Sequence, residues 1–135
     1  MRKAALTTAA ALLLAASVFA AGTPAAAPPS TLRADVAEWS IVPSQGMVRA
    51  GAVRIVLRNL GAEAHQLMVV RTRSFSETLP LRGNRAVARP LGSVVLAEPG
   101  TSKAFVLRLK RGNYVLLDNL PWHYWKGTQA AFVVR

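Results

Sequence analysis

His65 and His123 supply every imidazole of the 135-residue chain, and no cysteine accompanies them. Two imidazoles are too few for a three-histidine metal centre. Without a thiol there can be no cysteine-ligated zinc, no iron–sulfur cluster, no blue-copper centre and no disulfide scaffold. Hydrolytic chemistry has no better footing. No serine sits in a glycine elbow with Asp and His partners, and no pair of carboxylates is set out for acid–base work. Met47 and Met68 could offer soft sulfur, but Met68 stands one residue past Leu67 in a strand and reads as core or surface filler. Trp122, Tyr124 and Trp125 crowd His123. They form either a patch that docks a partner or covers a site, or a plug in which alternate members close the end of the domain.

The elements that must hold these residues read as strands. After Ser30 no window of eleven or more residues carries a 3.6-residue apolar stripe, and alternation of period two recurs instead. Val53, Ile55 and Leu57 share one face while Arg54, Val56 and Arg58 share the other. Phe105, Leu107 and Leu109 likewise oppose Ala104, Val106 and Arg108. Strands are expected over 33–42, 52–60, 66–71, 93–97, 102–110, 113–118 and 129–134, with Trp39 in the core. Turn signals separate them at Pro43-Ser44-Gln45-Gly46, Asn59-Leu60-Gly61, Pro99-Gly100 and Arg111-Gly112-Asn113. Short strands at this spacing predict an all-β sandwich. Residues 72–90, with Arg73, Arg82, Arg85 and Arg89, predict a long basic loop containing one helical turn over 76–81.

The N-terminus reads as a targeting segment. Arg2 and Lys3 precede an apolar run from Ala4 to Ala20, and Val18-Phe19-Ala20 offers a small-residue exit, so residues 1–20 are expected to be a cleaved signal peptide. An uncleaved anchor is the competing reading, because the run approaches the ~20 residues that span a bilayer. Residues 21–30 form a Pro/Ala-rich spacer. Residues 31–135 then suffice for one domain with a modest core, which excludes a multidomain enzyme. The formal charge is +11, and +9 once Arg2 and Lys3 are gone. Such a balance suits an anionic envelope surface or an acidic protein partner, or is simply a solvated basic surface. Nucleic acid is not expected of an exported chain without a basic–aromatic groove.

Four stretches carry a family resemblance. They are Glu38-Trp39-Ser40-Ile41-Val42-Pro43-Ser44, Arg49-Ala50-Gly51, Asn59-Leu60-Gly61-Ala62-Glu63-Ala64-His65-Gln66-Leu67, and the C-terminal run from Gly112 through Asn119-Leu120-Pro121-Trp122-His123-Tyr124 to Thr128. In this order the chain resembles the small exported cupredoxin-like proteins, Greek-key β-sandwiches of seven to eight strands related to plastocyanin and sulfocyanin. In that family one histidine follows the Asn-x-Gly turn, and the C-terminal loop supplies cysteine, histidine and methionine. His65 and His123 match the histidines. Asp118 stands at the cysteine position and Thr128 at the methionine position, each five residues from His123.

The resemblance therefore implies a thiolate-free set, His65, Asp118 and His123, suited to Cu(II) or zinc with water completing the shell, and no type 1 blue copper. The plainer reading makes both histidines relics packed among aromatics, with Asp118 bonding loop amides. The expected function is a non-enzymatic, monomeric, periplasmic or secreted protein that binds or handles a metal ion, copper foremost. The alternative is a metal-free envelope interaction module that uses the 122–125 loop and the basic surface. Electron transfer follows from the family name alone, and Asp118 speaks against it.

Overall fold

The computed structural model describes residues 22–75 and 77–135. The expected leader, residues 1–20, lies outside them. Residues 22–29 are exposed and without regular structure, and the first strand opens at Ser30.

Period-two alternation turns one side of the longer strands inward, and nine strands sort into two sheets that face each other. β1 (Ser30–Ala37), β2 (Ser40–Pro43), β4 (Gly51–Asn59) and β9 (Ser102–Leu109) make a four-stranded sheet in the order β2-β1-β4-β9. β3 (Met47–Val48), β5 (His65–Thr72), β8 (Val95–Ala97), β10 (Gly112–Leu117) and β11 (Gln129–Val134) make a five-stranded sheet in the order β3-β11-β10-β5-β8. β1 runs parallel to β4, and β3 parallel to β11; the other pairs are antiparallel. Leu32, Val36, Val53, Ile55, Leu57, Leu67, Val69, Tyr114, Leu116, Phe132 and Val134 fill the space between the sheets. This is the all-β sandwich that the alternation predicts.

Four details differ from expectation. The single strand over 33–42 is a hairpin, β1–β2, because the chain reverses at Glu38 and Trp39. Trp39 takes the left-handed turn position with φ of 63°, which no glycine or proline announces in the sequence. Trp39 is consequently half-buried at the end of the sandwich and not in its core. Among the described residues the strands number eleven, since this split and the two-residue pieces β3, β6 (Leu81–Arg82) and β7 (Arg85–Ala86) add to the expected set. The helical turn expected over 76–81 is not found among the described residues: Ser76 lies outside them, 77–80 are irregular, and β6 pairs with β7 in a small hairpin.

The 72–90 segment is a cover and not a free loop. Leu79 and Ala86 pack with Met68, Val70, Val115, Leu117 and Tyr124 on the outer face of the five-stranded sheet, with Ala88 against them. A sheet buried on both faces needs strands that are apolar throughout. Tyr114-Val115-Leu116-Leu117 is such a run, and all four side chains are buried.

Across the parallel pair β1–β4, Arg58 donates to Asp35 through Nε at 2.7 Å and Nη2 at 2.6 Å. Those Arg58 hydrogen bonds, assisted by the charges of Arg58 and Arg33, hold the Asp35 carboxyl below its ordinary value of 3.8. Asp35→Asn should lower the urea midpoint slightly at pH 7, as for a solvent-facing ion pair. A depressed carboxyl stabilises only while ionised. The wild-type margin over the variant should hold above pH 3.8 and close as pH falls through the lowered native value.

Candidate metal centre

His65 opens β5 at the end of a turn that is pinned from two sides. Asn59, buried at the end of β4, donates through Nδ2 to the carbonyls of Glu63 (2.7 Å) and Ala97 (2.9 Å). Its Oδ1 accepts the Gly61 amide at 2.9 Å. From the β1–β2 hairpin, Glu38 Oε1 accepts the amides of Ala62 and Glu63, each at 2.8 Å. The fixed turn delivers His65 to the inner face of the sheet, in the same row as Leu67 and Val69, at one end of the core.

Asp118 and His123 come from the other side of that end. Asp118 follows β10 directly, and its amide donates to the Thr128 carbonyl at 3.0 Å while the Thr128 amide donates to the His123 carbonyl at 3.1 Å. Asp118 Oδ1 accepts the Leu120 amide at 2.9 Å, starting the loop as an Asx-type turn. Tight turns over 120–127 then return the chain to β11, with Gly127 at φ of 110°.

The three side chains converge on one oxygen. Asp118 Oδ2 accepts from His65 Nδ1 at 2.8 Å and from His123 Nδ1 at 2.7 Å. His65 and Asp118 are fully buried, and His123 is 8% exposed, so the site meets solvent at His123. A nitrogen or oxygen from each residue lies within 4.8 Å of the others, the spread of a metal-ligand set. The remaining ring nitrogens also face carboxylates: His65 Nε2 is 3.3 Å from Glu38 Oε1, and His123 Nε2 is 3.8 Å from Glu63 Oε2. The Glu63 amide foremost, with the amides of Glu38 and Ala62 and the His65 ring, lowers the Glu38 carboxyl to about 2. Trp39 meets the His123 ring edge-on at 5.2 Å, and Lys126 Nζ lies 3.9 Å over the Trp39 ring.

Met68 points to the opposite face of β5, into the outer apolar cluster. Met47 is exposed on β3, which pairs with the far end of β11. Neither sulfur reaches the site. In the aromatic loop, Tyr124 is buried and its hydroxyl accepts the Leu79 amide at 2.8 Å. Trp122 and Trp125 are exposed, with ring centroids 6.0 Å apart. Trp122 carries φ of 70°, and its amide donates to the Asn84 carbonyl at 2.8 Å, tying the loop to the β6–β7 hairpin.

Two imidazole nitrogens and one carboxylate oxygen fit a borderline ion such as Cu(II) or Zn(II) and exclude the thiolate bond of a type 1 centre. Thr128 adds a second observation. It is fully buried beside Asp118, and its Oγ1 has no hydrogen-bond partner among the described residues. Glu38 was not legible as a site residue, because the sequence places it in mid-strand and its turn lies more than twenty residues away.

No known family profile matches the chain, and no curated protein matches it in sequence. Solved structures do. Auracyanin from Roseiflexus castenholzii superposes with a TM-score of 0.55 at 15% identity, over 81% of this chain and 99% of that one. Reduced rusticyanin, a copper protein, gives 0.57 at 14%, over 81% and 82%. The Cu-containing nitrite reductase from Thermus scotoductus gives 0.54 at 17%, over 81% of this chain and 31% of the enzyme. At these identities the likeness shows the fold, a cupredoxin β-sandwich.

Proposed function

We propose that this cupredoxin-fold protein binds one Cu(II) ion through His65 Nδ1, Asp118 Oδ2 and His123 Nδ1, at a site where Asp118 and Thr128 stand in place of cysteine and methionine. The convergence of two imidazoles on one buried carboxylate oxygen carries the reading. A bound Cu(II) would supply a Lewis-acidic, non-blue centre. The chain's own part is to surrender the two Nδ1 protons and keep Asp118 as the anionic donor. Metal uptake should release protons and weaken as pH falls, because the ion must displace the protons on Nδ1. Nothing in the site is arranged for bond-breaking, and we assign no catalytic residue.

Titration followed by spin resonance tests this. Wild-type protein should take up one Cu(II) per chain without intense colour, and the His65→Ala/His123→Ala protein should lose that uptake. Equal uptake by both would sink the site. A second reading, a metal-free interaction module, has its own support. Asp118 already satisfies both Nδ1 groups without an ion, and Trp122 and Trp125 stand exposed beside a basic hairpin. Protein isolated from its native envelope decides between them by its copper content.

We further propose that residues 1–20 are removed on export, leaving the spacer and the 31–135 domain as a monomer in the periplasm or medium, facing anionic surfaces or acidic proteins. Intact mass should then correspond to a chain starting at Ala21. A protein retaining Met1 in a membrane fraction would make the segment an anchor. No helix among the described residues is long and apolar enough to cross a membrane.

A further inference from the structure

We infer that Glu38 positions His65, holding its ring so that Nδ1 faces Asp118. The inference rests on the metal-site reading for its effect on affinity, though not for its effect on the metal-free ring. A histidine can present either nitrogen to a ligand, and which one is free is set by the hydrogen bond that the other makes. Nδ1 of His65 lies 2.8 Å from Asp118 Oδ2, and Nε2 lies 3.3 Å from Glu38 Oε1. An ionised carboxylate only accepts, so once an ion takes Nδ1 the remaining ring proton sits on Nε2, where Glu38 receives it. Glu38 thereby fixes the ring so that Nδ1, and not Nε2, is presented to the ion.

Glu38 is itself held for this task. Its Oε1 also accepts the amides of Ala62 and Glu63, so one oxygen ties the β1–β2 hairpin of one sheet to the turn that launches β5 of the other. Gly61 makes the approach possible. A Cβ there would lie 2.4 Å from Glu38 Oε1 and 2.7 Å from Oε2. Any larger residue must push the carboxylate away, and since the carboxylate ends a flexible side chain, it can yield without unfolding the turn. His123 has no comparable clamp: its Nε2 stands 3.8 Å from Glu63, whose side chain is 59% exposed. The two histidines are thus unequal, with His65 locked and His123 loose at the solvent side.

Three variants test the inference, each first checked for folding by circular dichroism and urea midpoint. Glu38→Leu removes the acceptor, Gly61→Ala displaces it without changing it, and Glu38→Gln keeps an oxygen in place. Outer partners of this kind are worth about 10–100-fold in metal affinity. Glu38→Leu and Gly61→Ala should lose Cu(II) affinity by that factor, and Glu38→Gln should stay within a few-fold of wild type. In metal-free protein, the His65 ring signals in long-range 1H–15N spectra should match between wild type and Glu38→Gln and shift in the other two. Ring signals that ignore Glu38→Leu would overturn the inference. Failure of wild type to take up copper would defeat the metal-site reading alone, because the metal-free spectra still report on Glu38.

Discussion

Cu(II) added to the Asp118→Cys, Thr128→Met protein is expected to produce a strong visible thiolate-to-copper band that the wild-type chain cannot give. Asp118 already places its carboxylate oxygen 2.7–2.8 Å from both Nδ1 atoms, so a sulfur on the same Cβ would be aimed between the same two imidazoles. Thr128 is fixed beside it by the Asp118 amide, and its side chain is buried with an unpartnered hydroxyl. Asp118→Cys alone should give a weaker or shifted band, because the axial ligand tunes such a centre and does not create it. Methionine is larger than threonine, and overpacking of this kind costs ~1–3 kcal/mol, so the double variant should be less stable but folded. Trp122 is no obstacle, since its ring is half exposed and lies against Trp125. A folded double variant that stays colourless would mean that Asp118 and Thr128 do not occupy sulfur-ligand positions.

Asp118→Ala should be strongly destabilising in the metal-free protein. The carboxylate accepts from His65, His123 and Leu120 at a fully buried position. Its removal leaves His65 Nδ1–H facing a void at 0% exposure. Leaving a buried donor without its acceptor costs roughly 1–3 kcal/mol, which a urea titration resolves easily. His65→Leu added to Asp118→Ala should recover part of the loss, because an apolar group asks for no partner. A loss below ~1 kcal/mol for Asp118→Ala would show that the hydrogen-bonded cluster contributes nothing to stability, against the ordinary cost of an orphaned buried donor.

The sandwich was legible because its strands obey one simple rule. Val53, Ile55 and Leu57 against Arg54, Val56 and Arg58 can only be a strand with one face inward, and so it is. What escaped were elements decided by distant partners. β1 ends at Ala37 with no local breaker, and only the fit of Glu38 over Gly61 and the left-handed turn at Trp39 close the hairpin there. The 72–90 segment looked like loop because Leu79, Ala86 and Ala88 have no periodic spacing. Its covering role was nevertheless foreshadowed by Tyr114-Val115-Leu116-Leu117, too apolar for a strand with one wet face. At the site, the two histidines stood out by their number, and Asp118 through the cupredoxin resemblance, which sets it at the cysteine position. Glu38 could not, because its part depends on a turn that the local sequence does not declare.

β9 is the long open edge of the four-stranded sheet, hydrogen-bonded to β4 alone. A flat edge with an exposed Val106 (58%) is a template on which a second copy could pair. Antiparallel pairing of residues 102–109 about a two-fold would gather Lys103 and Arg108 of both copies along one seam. Like charges brought together there repel. The remaining outer edges are too short to recruit a strand: β2 has four residues and ends at a proline, β8 has three and β3 two. Some of the chain's surplus of positive charge thus acts as a guard against fibre-like self-addition. The guard is selective by sign, since the same edge that turns away its own copy would accept an extended segment bearing carboxylates, and it relaxes as salt shortens the ~8–10 Å reach of these charges.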